Sequence, residues 1–161
     1  MYQALYRKWR PKVFSDVIGQ EHITETLKKQ VAEGRTSHAY LFTGTRGTGK
    51  TTCAKILAKA VNCEHPVNGD PCCQCPSCLG LESGSFLDVL ELDAASNGSV
   101  NDARSLREEA VYPPAVLQKR VYIILVIRIV NSIIIFLIIP GHLTVYFIQE
   151  FDGCMALFYS G

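Results

Sequence analysis

The chain has almost no net charge. Across 161 residues, 16 Lys and Arg stand against 15 Asp and Glu, giving +1 with histidine neutral. That balance removes any bulk electrostatic case for nucleic acid as a partner. A secretory signal is also missing: Met1 to Val13 carries Arg7, Lys8, Arg10 and Lys12 where an apolar core segment is needed. The seven cysteines therefore point to a reducing compartment, the cytoplasm, where clustered thiols hold metals more often than they pair. The early basic cluster includes Tyr6 and Trp9, so a nucleic-acid patch is one reading. A solvated arm, or part of a nucleotide pocket, is the plainer one. The length leaves room for one ordinary domain.

What is present is more specific. Gly44-Thr45-Arg46-Gly47-Thr48-Gly49-Lys50-Thr51 fits the phosphate-binding pattern G-x-x-x-x-G-K-[ST] at every fixed position. Ala39 to Thr43 before it has the character of a short buried strand. Thr51 to Val61 after it is predicted to be a helix with Cys53, Leu57, Ala60 and Val61 on one apolar face. Glycines let successive N–H groups turn inward toward phosphate oxygens, and a helix N-terminus adds partial positive charge. In that context Lys50 reaches the β- and γ-phosphates and the Thr51 hydroxyl ligates Mg²⁺, with Thr52 beside it. A glycine-rich turn before an ordinary helix is the bland alternative, and the strand–loop–helix context speaks against it.

A second constellation is made of thiols. Cys72, Cys75 and Cys78 form C-x2-C-x2-C, and eight residues separate Cys63 from Cys72. Two-residue spacing lets a tight turn bring two sulfurs to one ion, and four thiolates close a tetrahedral Zn²⁺ site. Pro66, Gly69, Pro71 and Pro76 leave the intervening loop little regular structure, and a bound metal supplies the folding energy such a loop lacks. Cys73 breaks the spacing and is a bystander. An iron–sulfur cluster also takes four thiolates, and a redox pair is the remaining alternative.

The rest alternates. Ile23, Leu27 and Val31 recur at helical spacing before Gly34, a helix with a glycine stop. Leu87 to Leu92 is predicted to be a strand. Ser99-Val100-Asn101-Asp102 has the form of a capping box, opening a helix through Ala103, Leu106 and Ala110 that Pro113 and Pro114 end. Val121 to Ile124 is a buried strand. Alternating strands and helices imply an α/β fold with a parallel sheet.

The chain resembles the gamma/tau subunits of the bacterial DNA polymerase III clamp loader, AAA+ ATPases. The resemblance is carried by Tyr6 to Pro11, Phe14 to His22, Ser37 to Phe42, the phosphate loop, the cysteine insert, and Glu91-Leu92-Asp93-Ala94-Ala95-Ser96-Asn97. It covers about residues 2 to 124. It implies an AAA+ nucleotide-binding domain over 1–124, incomplete at its C-terminal end, with a zinc insert at 63–80. It also implies ATP on Gly44 to Thr51 and zinc on Cys63, Cys72, Cys75 and Cys78. Adenine and ribose would be wrapped by the segments around Ala4, Arg7, Pro11, Val17 and Ile18. The implied partners are the other clamp-loader subunits, a sliding clamp and primed DNA.

One departure bears on activity. The family's strand continues after Ile124 with Asp-Glu, which position Mg²⁺ and the attacking water; here Leu125 and Val126 follow. Neither can bind a cation or accept a proton, so turnover is expected to be impaired. Glu91 and Asp93 cannot be assumed to substitute, since the family's strand order keeps their strand away from the phosphate-loop strand. The tail 125–161 has no counterpart in the family. Of the 19 residues from Val121 to Ile139, all but Arg128, Asn131 and Ser132 are apolar. That length could span a membrane, although Arg128 sits near its middle. Its Val and Ile content equally suits two buried strands, and a reading-frame change after Ile124 is a third explanation. A nucleotide-binding module without turnover and a membrane-tethered zinc protein are the competing functions.

Overall fold

The glycine-to-helix transition organises the molecule. In the computed structural model, which describes residues 9–45, 47–93, 105–106 and 108–125 and the backbone of 126–127 and 132–139, strand β1 (Ala39–Phe42) leads through the loop into helix α2 (Lys50–Val61). Helix α1 (Glu21–Ala32) precedes them. Gly34, at φ +67°, ends it as the sequence predicts, with the Glu33 N–H on the Lys29 carbonyl.

Helix α2 buries more than one stripe. Cys53, Leu57, Ala60 and Val61 are buried as expected, and so are Ala54, Ile56 and Ala58. A helix apolar on most sides belongs inside a fold. Its core neighbours are Phe14, Leu27, Tyr40, Phe42, Val121 and Ile123, with Ile23 and Val31 of α1 packed against the cluster. The core therefore lies between α2 and one face of the sheet.

That sheet has the order β1-β4-β3-β2, with β2 (Val89–Asp93), β3 (Arg120–Ile127) and β4 (Ser132–Ile139). Strands β2 and β3 pair in parallel, with Asp93 opposite Leu125. The expected all-parallel sheet is corrected by β4, which runs antiparallel to both β1 and β3. Only residues 128–131 separate β3 from β4. A parallel crossover needs a dozen or more residues, whereas a hairpin closes over a few. The apolar run thus forms two strands, and β3 passes residue 124 without a break. No helix among the described residues is long and apolar enough to cross a membrane.

Strand β2 begins two residues later than predicted. Leu87 is 83% exposed, while Asp88 turns inward. Its carboxylate accepts the N–H groups of Ala115, Val116 and Leu117 at 2.8, 2.8 and 3.0 Å, and this draws the chain in ahead of β3. Burial pushes the Asp88 pKa up, but those three N–H groups and the Arg120 guanidinium outweigh it and hold it below the usual carboxylate value. The capping box at 99–102 lies outside the described residues. Residues 105, 106 and 108–110 are helical and Ala110 is buried, ahead of Pro113 and Pro114.

Candidate nucleotide and metal sites

The loop between β1 and α2 turns at three glycines, Gly44, Gly47 and Gly49, with φ of +144°, +90° and +84°. Side-chain-bearing residues rarely adopt these angles, so the glycines of the pattern stand where the backbone requires them. Gly49 is the N-cap of α2, and its carbonyl accepts the Cys53 N–H at 2.9 Å. The first turn of α2 thus opens onto the loop with its N–H groups. The Lys50 ammonium is folded onto the loop. It donates to the Thr45 carbonyl and, at 3.1 Å, to the Thr48 hydroxyl, which in turn donates to the Thr45 carbonyl. Partial burial pulls the Lys50 pKa down. Arg46 lies outside the described residues.

Of the basic cluster, Arg10 donates from Nε to the Thr52 hydroxyl at 3.3 Å, and Lys12 pairs with Glu82 at 2.5 Å. Both line a cavity of about 470 Å³ with Pro11, Thr52, Lys55 and Glu91. Among the residues expected around adenine and ribose, Val17 packs against the core and Ile18 is 90% exposed. Ala4 and Arg7 fall outside the described residues.

At the far end of α2 the four predicted thiols meet. The sulfurs of Cys63, Cys72, Cys75 and Cys78 all lie within 4.8 Å of one another. Backbone N–H groups bind them in sequence: Cys72 to the Cys63 sulfur at 3.3 Å, Cys75 to Cys72 at 3.3 Å and Cys78 to Cys75 at 3.4 Å. The N–H groups of Gln74 and Cys75 bring the Cys72 thiol down to about 6, near the range of a thiolate at neutral pH. Burial pushes Cys63 and Cys78 upward. Cys73 stands outside the group, its sulfur 3.9 Å from the Lys59 ammonium and 3.8 Å from the Lys12 carbonyl.

Pro76 is not a loop residue. It opens helix α3 (Pro76–Ser83), with Cys75 as N-cap and Gly84 closing the end at φ +71°. Proline lacks an N–H that the first turn would leave unused, so it starts helices well.

Sequence reasoning also missed how the insert is fastened. Asn68 and Gly69 both have positive φ, at +50° and +83°, and Val67 and Asp70 exchange both backbone hydrogen bonds at 2.9 Å. Asn-Gly is the signature of such a two-residue turn, so the signal was there. The turn delivers Asp70, whose carboxylate accepts the Phe14 N–H at 2.7 Å, the Ser15 hydroxyl at 2.5 Å and the Lys28 ammonium at 2.9 Å. A side chain at Gly69 would put its Cβ 2.0 Å from the Lys28 carbonyl oxygen.

Over 123 residues, 76% of its length, the chain is 54% identical to DNA polymerase III subunit tau of Bacillus subtilis (strain 168), covering 22% of that protein. Over the same share it is 49% identical to DNA polymerase III subunit tau of Escherichia coli (strain K12), covering 19%, and 46% identical to DNA polymerase III subunit gamma of Buchnera aphidicola subsp. Acyrthosiphon pisum (strain APS), covering 34%. The chain spans about a fifth of the length of the first two relatives. The pattern that defines the family described as DNA polymerase III, delta subunit matches residues 19–131, and the chain belongs to that family.

Proposed function

We propose that this chain carries the nucleotide-binding part of a DNA polymerase III clamp-loader subunit of the tau/gamma type. It binds ATP with Mg²⁺ on Gly44 to Thr51 and holds one structural Zn²⁺ on Cys63, Cys72, Cys75 and Cys78. The carrying observation is the loop itself: positive φ at both glycines of the pattern, Gly44 and Gly49, and at Gly47 between them, entering α2 at its N-terminus. Lys50 leaves its contacts with Thr45 and Thr48 to meet the β- and γ-phosphates, and Thr51 offers its hydroxyl to the cation.

For the metal, the four sulfurs fit a single ion. Zn–S distances of about 2.3 Å put tetrahedral sulfurs roughly 3.8 Å apart, so sulfurs already within 4.8 Å need only a small contraction. So close a set leaves no room for a cage of several irons with their own sulfides, which favours zinc over an iron–sulfur cluster. By analogy with the tau and gamma relatives, the partners are the other clamp-loader subunits, a sliding clamp and primed DNA.

A second reading, nucleotide binding without turnover, is favoured by Leu125. It packs against the core within β3, two residues before the strand ends, where the resemblance expects a carboxylate. Calorimetric titration with ATP tests the proposal. Lys50→Ala should bind at least about tenfold more weakly, the equivalent of one charged hydrogen bond. Equal affinity in the variant and the parent sinks the site assignment.

A further inference from the structure

The side chain at position 125 cannot hold a cation, yet the neighbouring strand offers a carboxylate in the same row. Phe42, Ile134, Leu125 and Asp93 stand opposite one another across the four strands. Phe42 is the last residue of β1, two before Gly44, so this row borders the phosphate loop. Asp93 and Leu125 are direct partners on adjacent strands, about 4.8 Å apart in the pairing direction. Partners in a parallel pair point to the same face, and the Leu125 face is the one that packs on the core beneath α2.

Strand order alone argues against a role for Asp93, because β2 lies at the opposite edge from β1. Helix α2 removes that objection by packing over β3 and β4, beside β2 rather than over β1 alone. Two tie points fix its course. Near its C-terminal end, the Asn62 side-chain carbonyl accepts the Lys119 N–H at 2.8 Å, just before β3 begins. Further up, Lys55 pairs with Glu91 at 2.6 Å, and Glu91 stands opposite Ile123. From Asn62 to Lys55 the helix climbs about 10 Å. From Lys119 to Ile123 the strand climbs about 13 Å. The helix therefore runs antiparallel to β3, at nearly matched pace.

Continuing one helical turn from Lys55 leads to Thr51, about 6 Å higher and on the same helix face. Two residues on from Glu91 lead to Asp93, about 6.6 Å higher and on the same strand face. Thr51 and Asp93 thus face each other as Lys55 and Glu91 do, one level nearer the loop. Both side chains are shorter than the pair below. A hydrated cation between them, rather than the direct contact that Lys55 and Glu91 make, suits that shorter reach.

We infer that Asp93 is a positioning residue for the nucleotide-bound Mg²⁺. Its carboxylate accepts hydrogen bonds from water on the cation that Thr51 ligates, and it supplies the negative charge that Leu125 cannot. The inference rests on the nucleotide site proposed above. A cation held this way keeps water between itself and the carboxylate, in line with the reluctance of Mg²⁺ to shed its waters.

The test is ATP binding to the purified chain, measured in EDTA and across a Mg²⁺ titration. The readout is the ratio of affinities with and without metal, because a purely structural effect changes both terms alike. Asp93→Asn should raise the Mg²⁺ concentration needed for half of the gain by about tenfold, the scale for losing a partner of a metal-bound ligand. Asp93→Glu should keep most of the gain, and Glu91→Gln should keep all of it. A parent-like Mg²⁺ requirement in Asp93→Asn overturns the inference, as does an equal shift in Glu91→Gln. Lys50→Ala separates the two claims. If it weakens ATP in EDTA while Asp93→Asn behaves as parent, the site stands and the role of Asp93 falls. If Lys50→Ala changes nothing, the site reading itself falls.

Discussion

Separating Lys28 from Asp70 should unfasten the cysteine insert from the N-terminal part of the fold. The ammonium lies 2.9 Å from the carboxylate and also donates to Ser15 at 2.8 Å, while Ser15 and the Phe14 N–H complete the set around Asp70. The two side chains are 26% and 14% exposed, so this is neither a solvated surface pair nor a fully buried one. Exposed pairs contribute about 0–1 kcal/mol, and charged hydrogen bonds about 1.5–3 kcal/mol before screening. A coupling of about 1–2 kcal/mol is expected between them. A double-mutant cycle of Lys28→Met and Asp70→Asn, read by urea unfolding of the four proteins, isolates that quantity. The pH dependence has a definite sign. Burial pushes the Asp70 pKa up, but Ser15, Lys28 and the Phe14 N–H more than reverse it, so the folded value lies below the ordinary 3.8. The stabilisation is then complete above about pH 4 and is lost as pH falls through the folded value. A coupling below about 0.3 kcal/mol at pH 7, or one that grows on acidification, refutes the reasoning.

Gly69→Ala should destabilise the chain by at least about twice as much as Gly84→Ala. Both sites have positive φ, worth about 1–2 kcal/mol, but only Gly69 faces a backbone oxygen; equal unfolding midpoints contradict this. Cys75→Ser should lose bound zinc by metal analysis of the purified protein while Cys73→Ser keeps it, because only the former sulfur belongs to the four-thiol group. Turnover of ATP should fall well below about 1 s⁻¹ in a steady-state assay, since Leu125 accepts no proton; faster turnover that disappears in Lys50→Ala shows that another group replaces the acidic pair.

The phosphate loop and the thiols were legible because their spacing is set by local chemistry. A left-handed glycine before a lysine, or two sulfurs two residues apart, needs no knowledge of the distant chain. Helix α1 and the core of α2 were legible through periodicity. What escaped was non-local. The antiparallel seat of β4 depends on the short link after Ile127, and the Val/Ile run alone suits either direction. The late start of β2 depends on Asp88 finding three N–H groups nearly thirty residues downstream. The level of Asp93 relative to Thr51 depends on how a helix lies over a sheet, and no window of sequence contains both.

Both candidate sites belong to one helix. Lys50 begins α2 at the loop, and Cys63 lies just past its end in the thiol group, about 20 Å away along the axis. Between them α2 is held by Arg10 on Thr52, Glu91 on Lys55 and Lys119 on Asn62, each from a different part of the chain. A metal on the thiols would fix the helix end farthest from the loop and would also hold α3, through Cys75 and Cys78, against it. It would touch nothing at the phosphates. Its contribution to nucleotide binding would pass through the position of a rigid, buried helix, whose first turn supplies the N–H groups and Thr51 in fixed register with the sheet row that ends in Asp93. Zinc loss should therefore lower stability first, and should weaken nucleotide affinity only to the extent that α2 shifts along that row.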